Sequence, residues 1–258
     1  MRTPLVILAI LILTPLLGGI VIIASLLGVK DSPNGVYQWA SRSWARGVSA
    51  AAGMRIRLHG TEYMSTGSAR VFVSTHTSWF DIFALAGSLR NYTFIAKAEL
   101  AKLPLFGRAC RAVGIVFIER TNRKSAFDSY KDAAAMVREG KSVIVCPEGT
   151  RGYDYRLRAF KKGPFVLAIS AGVPIVPTVV HGVIQVQRKG SPWVRSGTAE
   201  VHFLEPVETK GYTYDQRDEL MRIVWTRMAN ALRDKYGVES GDSPREPSER
   251  DAIPTSFL

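Results

Sequence analysis

The feature that most restricts how this chain can fold is a series of short, nearly all-apolar runs set between helix-length segments. Val71–Ser74, Tyr92–Ala96, Ile115–Ile118, Val143–Val145, Ile175–Val180 and Ala199–Leu204 each have the length of a strand. A strand with one wet face alternates apolar and polar residues, whereas one that stays apolar is covered on both sides. Between these runs lie Asp81–Leu89, Leu105–Val113, Ala126–Arg138 and Pro164–Ala171, and Tyr214–Tyr236 follows the last. These read as helices, with Gly140 stopping one and Pro164 opening another. Buried strands alternating with helices predict an α/β fold: a mostly parallel sheet flanked by helices. Ligands of such sheets bind beyond the carboxyl ends of the strands.

The N-terminal part follows a different pattern. Pro4–Val29 is apolar apart from Thr14, Ser25 and small residues, and is long enough to cross a bilayer. Pro15, Gly18 and Gly19 in its middle leave a kinked or re-entrant path open. A cleaved signal peptide fits less well, because Arg2 is the only basic residue before the run, the apolar part is long, and no clear A-x-A site follows it. Lys30, Arg42, Arg46, Arg55 and Arg57 follow the run, which by the positive-inside bias places the rest of the chain on the cytoplasmic side. After a turn at Asp31–Gly35, Val36–Met54 reads as an amphipathic helix. Val36, Tyr37, Ala40, Trp44, Val48 and Ala51 share one face, and Gln38, Arg42, Arg46 and Ser49 the other. Such a helix suits either the surface of an anionic membrane or packing on the domain. The expected organisation is a pair of membrane-anchoring helices in residues 1–54 (apolar segment 4–29, amphipathic helix 36–54). An α/β domain over 55–237 and a disordered Ser-, Pro-, Glu- and Arg-rich tail over 238–258 follow.

Composition narrows the partners. Lys and Arg total 34 against 22 Asp and Glu, a formal net charge of +12. That excess attracts nucleic acid, an anionic membrane surface or phosphorylated small molecules. No nucleic-acid motif is present and aromatic residues are not interleaved with the basic ones, which argues against nucleic acid. Cys110 and Cys146 have no CxxC spacing, and four scattered histidines make no zinc site. The chain has no G-x-S-x-G elbow, P-loop or G-x-G-x-x-G turn.

Unusual polar residues gather where the apolar runs end. Val71–Ser74 leads into Thr75-His76-Thr77-Ser78-Trp79-Phe80-Asp81. His76 and Asp81 are five apart, which is wrong for one helical face but suits a strand–turn–helix junction. An aspartate that accepts the Nδ1 proton of a histidine fixes its tautomer and makes Nε2 a base. The residues alone equally permit a histidine beside a helix cap, with Asp81 favourable near the helix N-terminus. Lys97 ends the second run, Glu119-Arg120 the third and Cys146-Pro147-Glu148-Gly149-Thr150-Arg151 the fourth. If these strands are parallel neighbours, Lys97, Arg120 and Arg151 converge beside His76. Arginine grips phosphate by a bidentate fork and lysine supplies a point charge. Glu148 could accept a substrate hydroxyl or orient an arginine, and Gly149 lets backbone approach a ligand closely. His59, His181 and His202 carry no such company and read as structural.

The blocks His76-x4-Asp81, Gly114-x2-Phe117-Ile118-x-Arg120, Pro147-Glu148-Gly149-Thr150-Arg151 and Val173-Pro174-Ile175-Val176-Pro177 occur in this order. Together they resemble the glycerolipid acyltransferases, and most closely the bacterial 1-acyl-sn-glycerol-3-phosphate acyltransferases, over about residues 55 to 210. Lys97 and Phe160-Lys161-Lys162-Gly163 also resemble family features. Cys146 stands where the family usually has phenylalanine, and Gly152 where serine is common; both flank the acceptor block.

The resemblance implies acyl transfer from acyl-CoA or acyl-carrier protein to lysophosphatidic acid at an inner cell membrane, with the catalytic domain facing the cytoplasm. It gives His76 the role of base and Asp81 that of its orienting partner. Lys97, Gly114, Arg120, Glu148, Gly149, Thr150 and Arg151 would hold the acceptor phosphate, and Pro174, Ile175 and Pro177 would shape the acyl site. No metal or other cofactor is implied, and the oligomeric state is left open. Two alternatives remain: the same chemistry on glycerol 3-phosphate, a lysophospholipid or a lyso-aminolipid, or a non-catalytic protein that binds anionic lipid.

Overall fold

The structure is a computed structural model that describes residues 1–64, 67–119 and 123–241, without the side chains of 123–127. The chain runs α1 (Thr3–Leu26), α2 (Val36–Ala51), β1 (Met54–His59), β2 (Val71–Ser74), α3 (Phe80–Ser88), β3 (Tyr92–Lys97), α4 (Phe106–Ala112), β4 (Val116–Ile118), α5 (Arg123–Arg138), β5 (Ser142–Val145) and α6 (Gly163–Ala171). It continues through β6 (Ile175–His181), α7 (Val183–Val186) and β7 (Gly197–Phe203) to α8 (Arg217–Tyr236). From 242 onward the expected disordered tail lies outside the described residues.

The strands form one sheet in the order β1-β7-β6-β2-β5-β3-β4. All neighbours are parallel except β6 and β7. The continuous apolar strands serve two cores, because successive side chains point to opposite faces. Phe72, Ile144, Val176 and Val180 face the layer of α2, α3 and α7. Val71, Val73, Val143, Val145, Ile175 and Val179 face α5, α6 and α8. Each fully buried Val, Ile or Phe of this kind contributes ~1.5–3 kcal/mol of transfer free energy. The order β6-β2-β5-β3 puts the carboxyl ends of β2, β5 and β3 side by side, as convergence of the polar blocks requires.

The N-terminal segment differs from the expectation in two ways. The amphipathic helix ends at Ala51, where Gly53 takes a left-handed conformation (φ +63°), and Met54 opens β1 instead of closing the helix. Met54, Ile56 and Leu58 alternate with Arg55, Arg57 and His59, a period of two that marks a half-buried strand. In addition, α2 is part of the domain as well as a neighbour of α1: Ala45, Val48 and Ala52 are buried with Phe72 and Val176.

The apolar helix α1 lies along the domain. Its first turn is tied to the segment before β7, where Arg2 N donates to Val194 O at 2.8 Å. Near its middle, Thr14 Oγ1 accepts the indole N–H of Trp44 at 3.0 Å. Leu17, Val21 and Ala24 pack on Tyr37 and Ala40, with Ala109 and Ala112 of α4 against the same cluster. The opposite face carries Leu5, Leu8, Ile12, Leu16 and Ile23, each between 47% and 59% exposed. An apolar stripe of this size facing outward marks contact with lipid or another protein.

Candidate active site

The site is built at the junction of β2 and α3. β2 delivers Thr75, whose N–H bonds Thr178 O on β6 at 3.1 Å, and the chain then turns through Thr77 and Ser78 into the helix. Asp81, in the first turn of α3, is fully buried. Its Oδ2 accepts the backbone N–H groups of Thr77 at 2.7 Å and Ser78 at 2.8 Å, and lies 3.1 Å from His76 Nδ1. The two amides fix the carboxylate before it meets the histidine. With Nδ1–H donated to Asp81, the lone pair of the neutral ring sits on Nε2. One carboxylate oxygen thus organises the turn and orients the ring, while the N-cap of α3 falls at Trp79, which makes no side-chain cap.

The backbone of His76 is pinned to the β5 loop. Its carbonyl accepts Gly152 N–H at 2.7 Å, and its N–H donates to Glu148 Oε1 at 3.3 Å. Glu148 Oε2 accepts Arg158 Nε at 2.8 Å, and Arg158 also donates to the Thr150 carbonyl. Burial raises the carboxyl pKa of Glu148 above its ordinary value, outweighing Arg158 and the His76 amide. Glu148 thus orients an arginine and braces the loop, while Gly149 and Thr150 line the cavity at the loop's surface. Gly149 needs its φ of +75°, a conformation open to glycine at little cost.

The imidazole of His76 is 17% exposed and opens onto a cavity of about 580 Å³. Burial acts to lower its pKa, but the Cys146 sulfur and the Asp81 carboxylate outweigh it and hold the ring at about 10. At the same mouth the Arg151 guanidinium carbon lies 4.7 Å from the centroid of the Trp79 ring. Burial lowers the pKa of Arg151, with Asp81 opposing, yet a guanidinium stays charged at neutral pH. Arg151 has no ion pair among the described residues. Lys97 also lines the cavity and is paired with Glu99 at 2.7 Å on the surface. Away from this charged mouth the walls are apolar and come from several elements, including Leu17 and Val21 of α1, Trp44 of α2, Phe83 of α3, Phe94 of β3 and Val113 after α4.

His76, Asp81, Lys97, Gly149, Thr150 and Arg151 are therefore brought together, with Glu148 beneath them. Arg120 lies outside the described residues. Gly114 is set back from the cavity: it forms a left-handed turn after α4 (φ +82°), and its carbonyl accepts Thr93 Oγ1 at 2.7 Å. Pro174, Ile175 and Pro177 do not line the cavity. Ile175 begins β6 at the amino end of the sheet, fully buried toward α5, α6 and α8, because its place in the strand points it to that face. The acyl-sized space lies on the other face of the sheet.

Sequence reasoning gave no role to Trp79, Cys146 or Arg158. Trp79 follows the strand-end motif directly, so its place at the mouth was readable. Arg158 sits in an irregular loop, and nothing local marks it. Among the described residues no group of three or more His, Cys, Asp or Glu side chains is arranged to hold a metal ion.

The chain as a whole is similar to known proteins. The family model described as Acyltransferase matches residues 55–181. The chain is 32% identical over 199 residues to 1-acyl-sn-glycerol-3-phosphate acyltransferase alpha of Homo sapiens, covering 76% of this chain and 70% of the human protein. It is also 32% identical over 173 residues to a chloroplastic 1-acyl-sn-glycerol-3-phosphate acyltransferase of Brassica napus, covering 66% of this chain. The chain spans about half the length of that chloroplastic relative. The crystal structure of the 1-acyl-sn-glycerophosphate acyltransferase PlsC from Thermotoga maritima has the same fold, with a TM-score of 0.75, 24% identity and coverage of 93% of this chain and 100% of that one. The chain belongs to the acyltransferase family that includes the 1-acyl-sn-glycerol-3-phosphate acyltransferases.

Proposed function

We propose that the protein transfers an acyl chain from acyl-CoA or acyl-carrier protein to the sn-2 hydroxyl of 1-acyl-sn-glycerol-3-phosphate, giving phosphatidic acid. The observation that carries this reading is a buried Asp81–His76 pair at the mouth of a large apolar cavity, beside Arg151, a cation with no ion pair among the described residues. A base alone would suit many reactions, but a base between a phosphate-sized charge site and a chain-sized apolar space suits an amphiphile with a reactive hydroxyl.

The step uses residues already positioned. His76 Nε2 takes the proton from the acceptor hydroxyl as its oxygen attacks the thioester carbonyl carbon. The tetrahedral intermediate collapses, the C–S bond breaks, and the imidazolium returns its proton to the departing thiolate. Asp81 holds the ring and stabilises the imidazolium between the two transfers. Arg151, with Lys97 released from its surface pair, neutralises the acceptor phosphate, and Trp79 holds the guanidinium over its ring. Each methylene drawn into the apolar cavity contributes ~0.8 kcal/mol to binding.

The anchor reading follows from the lie of α1. Its 24 residues reach ~36 Å, enough to cross a bilayer. Its first turn, middle and last third all touch the domain, however, so a crossing would carry the domain into the hydrocarbon with it. These contacts support a reading in which α1 lies in the plane of one leaflet, and Lys30, Arg42 and Arg46 after it support the cytoplasmic face of the cell membrane. One wall of the cavity is then made by the anchoring helix, and lipid enters sideways.

The test is an acyl-transfer assay with lysophosphatidate, glycerol 3-phosphate and lysophosphatidylcholine as acceptors and both donor types, read by mass spectrometry. Phosphatidate should dominate, and Arg151→Ala should raise the KM for lysophosphatidate by about tenfold or more with a smaller change in kcat. Preference for an acceptor without a phosphate monoester, or an unchanged KM in Arg151→Ala, would overturn the assignment.

A further inference from the structure

A second cavity, of about 510 Å³, lies under the segment between α7 and β7. Its lining includes Arg188, Arg195, Trp193, Gln187 and Ser191, and no acidic side chain. Both arginines are exposed, and neither is in an ion pair among the described residues. The segment is not a loose loop. Gln187 Nε2 donates to Ser191 O at 3.1 Å, Trp193 N to Ser191 Oγ at 3.1 Å and Arg195 N to Val186 O at 2.9 Å. Two exposed arginines thus line one concave, well-braced space that also has apolar walls at Ile184, Val186 and Trp193.

The position of this cavity indicates what fills it. The same segment is stitched to the start of α1: Arg2 N donates to Val194 O, Val194 N donates to Thr3 Oγ1 at 2.8 Å, and Thr3 Oγ1 lies 3.4 Å from Pro192 O. Trp193, between these contacts, is 54% exposed. One turn further on, the outward apolar face of α1 begins with Leu5 and Leu8. The cavity therefore sits where apolar surface gives way to polar surface, beside an exposed indole. Trp collects at that level of a bilayer, and arginine there meets lipid phosphate.

We propose that the Arg188–Arg195 cavity docks the phosphate of an anionic bilayer phospholipid, with Trp193 seated at headgroup depth. The lipid is a ligand of the membrane surface and not a substrate, since this cavity is lined by different residues from the one at His76. Docking bears on the active site through two contacts. Gln187 O accepts Ser78 Oγ at 2.8 Å, and Lys189 Nζ donates to Arg151 O at 2.8 Å, so an ordered segment steadies the turns that carry His76 and Arg151. The proposal rests on the in-plane reading of α1.

The experiment titrates phosphatidylglycerol into micelles of the full chain and counts bound lipid by native mass spectrometry, with phosphatidylcholine as the neutral control and inorganic phosphate as competitor. The wild-type chain should bind one phosphatidylglycerol about tenfold or more tightly than phosphatidylcholine. Arg188→Gln with Arg195→Gln should remove that preference, and Arg188→Lys with Arg195→Lys should restore part of it. Equal affinity for the two lipids in the wild type, or an unchanged preference in the Gln variant, would overturn the proposal. Displacement by inorganic phosphate at the lipid's own concentration would also overturn it, by making this a free-anion site. Co-sedimentation with pure phosphatidylcholine vesicles, measured alongside, reports on α1 alone, so a failed anchor and a failed docking site read differently.

Discussion

His76 sits in a field that favours its charged form. With a pKa of about 10, most of the free enzyme carries imidazolium at neutral pH, and the neutral base becomes more abundant as pH rises. The sign is therefore fixed: kcat/KM should increase by about tenfold per pH unit above pH 7 and level off as the ring titrates. Removing the sulfur with Cys146→Ser should shift that limb to lower pH, because Asp81 then favours the charge alone. A pH–rate profile of the two enzymes checks both statements, and coincident limbs would remove Cys146 from the account. The His76–Asp81 pair was legible in sequence because its spacing fits one local turn. The role of Cys146 was not, because the thiol meets the ring only when β2 and β5 pair. Glu148 shows the same limit: its block was visible, but its partners are Arg158 and a backbone amide from another strand.

At the scale of elements, the depth of α1 in a bilayer tests the in-plane reading. A single cysteine placed at Leu8, Leu16 or Ile23 and labelled with a spin probe should report similar bilayer depths in all three positions, as a helix lying in the leaflet requires. A depth that runs steadily from one surface to the other would mean that α1 crosses. Composition alone permitted both outcomes, because an apolar run of this length passes the spanning test whether or not one face is packed. The distinction lives in contacts at Arg2, Thr14 and Val21 that join residues far apart in the chain. Most strands and helices of the domain were legible to within about three residues, since their periods are local, but the single turn α7 was not anticipated. β1 was missed because the short Ala- and Gly-rich stretch before Met54 hides the end of α2, although its own alternation is plain.

For the whole molecule, four ordered blocks indicated that the strand ends would meet, and the parallel order β2-β5-β3 is what brings them together. Pro174, Ile175 and Pro177 mark the limit of that reading. Their block belongs to the family pattern, yet at least Ile175 faces the opposite core, and the apolar cavity is instead walled by α1, α2, α3, β3 and α4. Which face of a two-sided sheet holds a chain-sized space depends on how helices pack, and no single segment encodes it. The central claim is that the base at the mouth of this cavity performs acyl transfer. The direct measurement is phosphatidate formation from lysophosphatidate and an acyl thioester by wild-type and His76→Ala chains, with thermal unfolding of both as a control. The account predicts a loss on the order of 10²–10⁴-fold in kcat from a His76→Ala chain that still unfolds cooperatively, at a lowered Tm because the buried Asp81 loses its partner. Phosphatidate formed at the wild-type rate by the His76→Ala chain would contradict it.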